Sequence, residues 1–379
     1  MKPSIFLVFG LTLSTAAGSA AAQGTGAWQF GAVLDLAHTS RAPALGSRDQ
    51  GLQLGHSDLT ARGPLGSLLK SQLTATVASH DGKLEKGVEE AWIETTRLPL
   101  GLQARAGRFA SQIGYLNAQH PHADDFVERP LLYRGFFGSH WNDDGLRLNW
   151  TAPTPVYLML GAEAFRGKRL VAETANAPGS LGAAALVLKT GADLNREHSW
   201  QFGLSHIHNR REAASEEHDD DAGADDHEHE HDHAHGAAYS GRRTWMVDAT
   251  WKWAPDGNNR ARQLRLVFEA ARITGLNRFA SSRDRHEASA ISLVWRFHPH
   301  WEAGGRADWL RVRMPHGDHF HTGLLREHSL MLAWKPSHMQ SLRLQYTTQR
   351  DAVEFDDAAK RSVQLQYVLA FGAHGAHAY

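Results

Sequence analysis

The stretch 212–235 sets His218, His227, His229, His231, His233 and His235 among the carboxylates Asp225, Asp226, Glu228, Glu230 and Asp232, with more acid at Glu216, Glu217, Asp219, Asp220 and Asp221. Imidazole and carboxylate are the nitrogen and oxygen ligands that Zn²⁺ takes, and they suit Ni²⁺, Cu²⁺ and Co²⁺ as well. The chain has no cysteine, so any metal must bind through such donors. Alternating spacing lets neighbouring imidazoles of a flexible chain converge on one ion. Many overlapping ligand sets predict weak, fast, multi-ion binding rather than one structural site. A tract this polar cannot pack a core and is expected as a solvated loop. The plain alternative is a loop that carries surface charge alone, which six histidines at this density argue against.

A second group lies in 110–144, where Asn117, His120, Pro121, His122, Asp124 and Asp125 are followed by His140, Asn142, Asp143 and Asp144. A loop of this length can fold into a barrel lumen and form a constriction, where His120, His122, Asp124 and Asp125 would contact a passing cation. Read as structure alone, its Asp and Asn residues make turns. His316, Asp318, His319 and His321 in 314–326 make a third outer cluster, and His206 and His208 flank the first. His374 and His377 are expected at the interface or in the periplasm. There is no Gly-x-Ser-x-Gly elbow, no His-Glu-x-x-His and no phosphate-cradling loop, so no catalytic residue and no tightly bound cofactor are expected.

What positions these residues is a pattern of period two. In 244–253, Trp245, Val247, Ala249, Trp251 and Trp253 share one face, opposite Thr244, Met246, Asp248, Thr250 and Lys252. In 362–371, Val363, Leu365, Tyr367, Leu369 and Phe371 stand opposite Ser362, Gln364, Gln366 and Ala370. Such alternation is the mark of half-apolar strands, and about sixteen can be drawn. Their length, about ten residues, is that of a tilted membrane crossing. Trp28, Trp200, Trp245, Trp253, Trp301, Trp309 and Trp334 recur near strand ends, where interfacial girdles sit.

Residues 1–22 read as a secretory signal, with Lys2, an apolar run from Ile5 to Leu13 and small Ala20-Ala21-Ala22 before Gln23. Beyond it no apolar run of about 18 residues exists. The reading is therefore all-β: a transmembrane antiparallel barrel of about 16 strands over 23–379, with a secreted β-sandwich as the alternative. Short connections are expected at 98–101, 152–155 and 298–300, and long ones at 110–144, 210–243 and 314–326. No plug of a hundred-odd residues precedes the first strand, which weighs against an energised receptor. A formal net charge of −1 argues against nucleic acid as partner. Arg105, Arg147, Arg265, Arg306 and Arg343 are expected to face the lumen beside Glu90, Glu94, Glu269 and Asp308, as a mixed field across a wet pore.

From about Leu52 onward the chain resembles a family of outer-membrane proteins related to the phosphate-selective porins. More specifically it resembles a zinc-regulated, porin-like subgroup often labelled as TonB-dependent receptors. The likeness rests on Glu89-Glu90-Ala91-Trp92-Ile93, Gly107-Arg108-Phe109, Gly114-Tyr115-Leu116-Asn117 with His120-Pro121-His122, and Arg129-Pro130-Leu131. It continues through Asn142-Asp143-Asp144-Gly145, Trp251-Lys252-Trp253-Ala254-Pro255 and Gly372-Ala373-His374-Gly375-Ala376-His377. It implies a barrel and a link to zinc supply. Together these readings predict a passive channel in the outer membrane of a Gram-negative bacterium, surrounded by its lipids. It carries zinc or another divalent cation gathered by the outer His/Asp/Glu loop. A general or anion-preferring porin with an incidental His loop is the alternative, and a non-transporting surface metal-binding protein the third. Homo-oligomerisation is left open.

Overall fold

The computed structural model describes residues 27–80, 82–171, 181–211, 236–316, 319–355 and 360–372. The expected signal segment, the His-rich tract 212–235, Asp318, His374 and His377 lie outside the described residues.

Alternation turns into strands almost everywhere it was drawn. The first part of the chain supplies β1 (Gln29–Thr39), β2 (Gly51–Leu54), β3 (Ser57–Leu65), β4 (Leu69–His80), β5 (Lys83–Thr95) and β6 (Leu102–Ala110). The middle supplies β7 (Asn142–Thr151), β8 (Tyr157–Phe165), β9 (Ala183–Asp193), β10 (His198–Asn209) and β11 (Arg243–Trp253). Then follow β12 (Gln263–Thr274), β13 (Arg285–His298), β14 (Trp301–His316), β15 (His319–Ser337), β16 (Gln340–Val353) and β17 (Arg361–Gly372). Each strand pairs antiparallel with its neighbours, and β17 returns to β1, from Gly31 opposite Gly372 to Thr39 opposite Gln364. The sheet closes on itself and leaves no edge.

The seventeen segments make sixteen crossings, because β2 and β3 share one. β2 pairs with Leu36–Thr39 of β1 and β3 with Gln29–Val33 of the same strand. The crossing is broken at Gly55 and His56. Gly55 donates its N–H to the Asp35 carbonyl at 2.7 Å. A Cβ there would fall 2.4 Å from the Asp35 carboxylate, so only glycine fits the break. A second irregularity lies on β5. Glu90 faces Thr74 and Val88 faces Ala75, which leaves Glu89 as an extra residue, a β-bulge. Two consecutive carboxylates, Glu89 and Glu90, therefore both turn inward and are buried.

The outer face exposes Leu73, Ile93, Leu148, Leu160, Leu186, Leu293, Leu330 and Leu344, with Trp28, Trp295, Trp301 and Trp334 toward one rim and Trp245 and Trp309 toward the other. So much exposed apolar surface on a closed sheet is what lipid covers. Among the described residues no helix is long and apolar enough to cross a membrane.

The expected short connections fall where they were placed, each holding a tight turn between β5 and β6, β7 and β8, and β13 and β14. The stretch 314–326 differs from expectation. It is not an open loop but the paired ends of β14 and β15, with Met314 opposite His321 and His316 opposite His319. These strands, of 16 and 19 residues, outrun the membrane and continue as a hairpin beyond it.

The lumen also differs from a wholly wet pore. Residues 111–141, between β6 and β7, fold inward and carry the short helix α1 (Leu131–Phe137). Phe109, Ile113, Leu132, Phe136, Phe137 and Trp141 pack there against Phe165, Val187, Ile207, Leu310 and Leu325 of the wall. The wall makes room by presenting small residues, Ala183, Ala185, Ala271 and Ala288, where the loop presents rings. One side of the barrel, near the end from which the long connections leave, is thus a packed apolar core rather than water.

Candidate metal centre

The centre is built at the two irregularities of the wall and at the loop that meets them. The break in the second crossing turns His56 inward, and Asp58, two residues on, shares its face as strand geometry requires. The β5 bulge adds Glu89 and Glu90 from across β4. Thr74, opposite Glu90, is near the middle of β4, so these groups sit at about mid-height of the barrel wall. The loop 111–141 brings His120, His122 and His140 against them.

The contacts are short. His56 Nε2 lies 2.8 Å from Glu89 Oε2, and His120 Nδ1 lies 3.1 Å from the same oxygen. His120 Nδ1 is 3.5 Å from Asp58 Oδ2, and His122 Nδ1 is 3.3 Å from it. Behind these, His120 Nε2 is 3.3 Å from Glu90 Oε2 and His140 Nδ1 is 2.9 Å from Glu89 Oε1. One ligand atom each of His56, Asp58, Glu89 and His120 lies within 4.8 Å of the other three. Zinc bonds of about 2.0–2.2 Å in a tetrahedron place their donors about 3.4 Å apart, and the pairs His56–Glu89, His120–Glu89 and His120–Asp58, at 2.8, 3.1 and 3.5 Å, lie around that value. Nδ1 of His120, Nδ1 of His122 and Oε1 of Glu89 are buried and in no aligned hydrogen bond. Two nitrogens, of His56 and His120, and two carboxylate oxygens, of Asp58 and Glu89, thus stand close enough together to surround a divalent cation. His56 and His120 keep 26 and 25% of their side-chain surface accessible, against 4 and 3% for Asp58 and Glu89. The imidazoles form the mouth and the carboxylates the floor.

Burial alone would keep His120 neutral, but the Glu89 carboxylate at Nδ1 and Glu90 at Nε2 outweigh it. They hold the ring's pKa well above the ordinary imidazole value. In His140 burial dominates and lowers the pKa despite Glu89.

Across the lumen the same loop is held by ion pairs and hydrogen bonds to the wall. Asp125 takes Arg265 of β12, while Asp124 takes Arg129 of the loop itself at 2.6 Å. Gln345 accepts from the Val127 N–H at 2.6 Å, and Arg343 donates to the His122 carbonyl at 2.6 Å. Arg306 bonds Asp308 and Glu327 at 2.7 and 2.9 Å, and Glu327 also takes Arg134 from α1. Glu269 accepts from the Tyr115 N–H and the Tyr133 hydroxyl. Asp248, Glu269, Asp308 and Glu327 lie in one register line across β11, β12, β14 and β15, with Ala290 of β13 between them.

Sequence reasoning offered a lumenal loop as one reading of 110–144, with His120, His122, Asp124 and Asp125 lining its neck, and the structure brings His120 and His122, with His140, to the wall. Asp124 and Asp125 are instead bonded to guanidinium groups and stand outside the cluster. The inward Arg and Glu residues do face the lumen as expected, yet Arg265, Arg306, Arg343, Glu269 and Asp308 seat the loop, while Arg105 and Arg147 pair with Glu94 and Glu163 on the wall. His206 lies edge-on to Trp245, on β10. The metal candidates His218, His227, His229, His231, His233, His235, Asp225, Asp226, Glu228, Glu230 and Asp232 fall in the tract outside the described residues. Sequence reasoning missed that His56, Asp58 and Glu89 meet His120. The available signals were the His-x-Asp spacing after a glycine, and a Glu-Glu pair that breaks alternation.

No protein-family model matches the chain. A stretch of 120 residues, 31% of the chain, is 40% identical to an uncharacterized protein of Aquifex aeolicus, and the match spans about a quarter of that protein, 24%. Among solved structures the chain is similar to OprB of Pseudomonas putida, with a TM-score of 0.59 and 13% identity over 91% of this chain and 94% of that one. It is also similar to the outer membrane channel DcaP of Acinetobacter baumannii, with a TM-score of 0.53 and 13% identity over 91 and 96% of the two chains. The outer membrane protein OmpT of Vibrio cholerae, solved in a trimer form, matches with a TM-score of 0.54 and 9% identity over 92 and 100%. The fold is that of the outer-membrane porins.

Proposed function

We propose that this barrel is a channel of the Gram-negative outer membrane that passes divalent cations, zinc first, and binds them at the constriction through His56, Asp58, Glu89 and His120. The observation that carries the reading is the meeting of these four donors at mid-height, where the inward loop narrows the lumen. Nitrogen and carboxylate oxygen together select first-row divalent ions over the hard ions that prefer oxygen alone. On the opposite wall Arg265, Arg306 and Arg343 are engaged by the loop. The tract 212–235 fits a collector of the same ions at the outer mouth, raising their local concentration as a charged funnel does. The trimer form of the similar Vibrio protein supports a homo-oligomer as the working assembly.

Reconstitution into liposomes tests the reading. The expected result is a cation-selective reversal potential and zinc uptake that falls at least tenfold in Glu89→Gln and in His120→Ala. An anion-selective reversal potential, with zinc uptake equal in all three proteins, would establish a general porin instead.

A further inference from the structure

The four donors come from three places in the chain: the broken second crossing, the β5 bulge and the loop. That division has a mechanical consequence. Segment 117–123 of the loop makes no backbone hydrogen bond to β3, β4 or β5 among the described residues. Its links to that wall run through the imidazoles of His120 and His122 to Asp58, Glu89 and Glu90. On the far side the same loop is fixed at the His122 carbonyl, at Asp125 and at the Val127 N–H. The loop is therefore anchored along one flank, and on the other its segment 117–123 meets the wall through imidazole–carboxylate contacts that an ion would draw together.

We propose that a divalent ion at this centre is a clasp that locks the loop 111–141 to the β3–β5 wall, so that occupancy of the site regulates the channel in which it lies. The proposal rests on the reading that these side chains take a metal, and names what the bound ion does. Each arm is braced from behind. Glu90 stands at the remote nitrogen of His120, His140 at the second oxygen of Glu89, and His122 at Asp58. Such outer partners fix ligand orientation and raise affinity. Three carboxylates of the wall, Asp58, Glu89 and Glu90, are buried within 8% exposure or less and face the loop, so a dication there draws the loop inward rather than merely resting beside it. Because the ion prefers the closed arrangement, it shifts the loop's population toward it.

The test uses the full chain in lipid nanodiscs, with zinc chloride alone as the probe and a chelator as the reference. Titration calorimetry reads binding, taken as the difference between the native chain and Glu89→Gln to remove zinc held elsewhere. Hydrogen exchange of the amides in 117–123 reads the clasp. The native chain should bind one further zinc ion and slow exchange in that segment at least tenfold. His120→Ala keeps His56, Asp58 and Glu89, so it should still bind zinc, more weakly, while zinc no longer slows exchange. If the native chain binds the ion and exchange is unchanged, the clasp is overturned and the metal reading stands. If the native chain and Glu89→Gln titrate alike, the metal reading falls and the clasp with it.

Discussion

The loop 111–141 touches two walls of one barrel, and they hold it by opposite means. Toward β8–β15 it presents rings to alanines, and its charges are paired: Arg134 with Glu327, Asp125 with Arg265, and Glu269 accepts from Tyr133. Toward β3–β5 it presents imidazoles to carboxylates, at ion-pair distance but with several atoms in no aligned hydrogen bond. The difference lies in what fills each flank. Apolar rings and guanidinium–carboxylate pairs fix the loop's position on one, and imidazoles facing carboxylates, the donor types a divalent ion takes, line the other. That separates the flank that stores the loop's position from the flank that would respond to a ligand.

Breaking the storing flank should give the largest effect. Phe136→Ala removes a fully buried ring from the loop core, at a cost of about 3–5 kcal/mol. That loss falls on loop docking, because the strand ladder closes through β17 and β1 without the loop. The barrel should still assemble, while single-channel conductance rises and zinc affinity drops, since His120 is no longer held near the wall. Unchanged conductance would show that the apolar core does not set the aperture.

The responding flank is sharpened by Glu90→Gln. The substitution keeps the shape of the side chain but removes the charge that faces His120 Nε2. An outer partner of a ligating histidine is worth about 10–100-fold in metal affinity. Zinc titration should show a loss in that range with loop docking on the far wall unaltered. A loss as large as that of Glu89→Gln would instead make Glu90 a ligand itself.

The same two flanks show what a sequence can disclose. Alternation is a local signal, so the strands, the closing ladder and the number of crossings were legible before any coordinates. An inward loop carrying His120 and His122 was one of two readings that its length left open. The filled lumen was not legible, because Ala183, Ala185 and Ala271 read as weak alternation until the rings of the loop are set against them. His56, Asp58 and Glu89 were hidden for a sharper reason. Their inward aim depends on a break and a bulge, and both irregularities suppress the periodicity from which facing is inferred. Pairing across β4 and the inward loop then joins residues more than sixty positions apart, which no single stretch records.

A smaller effect separates the centre from the His-rich tract by pH. Zinc binds only neutral imidazole. His120 carries a raised pKa, so in the metal-free protein its proton persists to higher pH, and its tie to Glu89 and Glu90 is at full strength at low pH and fades as pH rises through that raised value. Zinc must displace this proton, so affinity at the centre should keep climbing with pH above neutrality, by up to about tenfold per unit for one proton displaced. Histidines at the reference pKa of about 6.5, as expected for 212–235, should already level off by then. Titrations at several pH values on the native chain and on a 212–235 deletion distinguish the two curves. A centre that levels at the same pH as the tract would mean that the carboxylates do not hold the His120 proton.

The smallest expected effect belongs to the tract itself and appears only when zinc is scarce. A ligand-rich segment at the mouth raises the ion's local concentration without changing the path beyond it. Such enrichment matters while capture limits flux and vanishes when external zinc already saturates the constriction. Deleting 212–235 should therefore lower zinc uptake at low external concentration and leave the saturating rate nearly unchanged. The ladder between β10 and β11, from His198 opposite Trp253 to His208 opposite Arg243, lies wholly outside the deleted residues, so the barrel should assemble as before. His120→Ala should act at every concentration, because its place is in the constriction. Uptake measured against zinc concentration for the native chain and both variants decides the matter. A deletion that lowers the saturating rate, beside a His120→Ala variant that changes nothing, would exchange the roles of mouth and constriction.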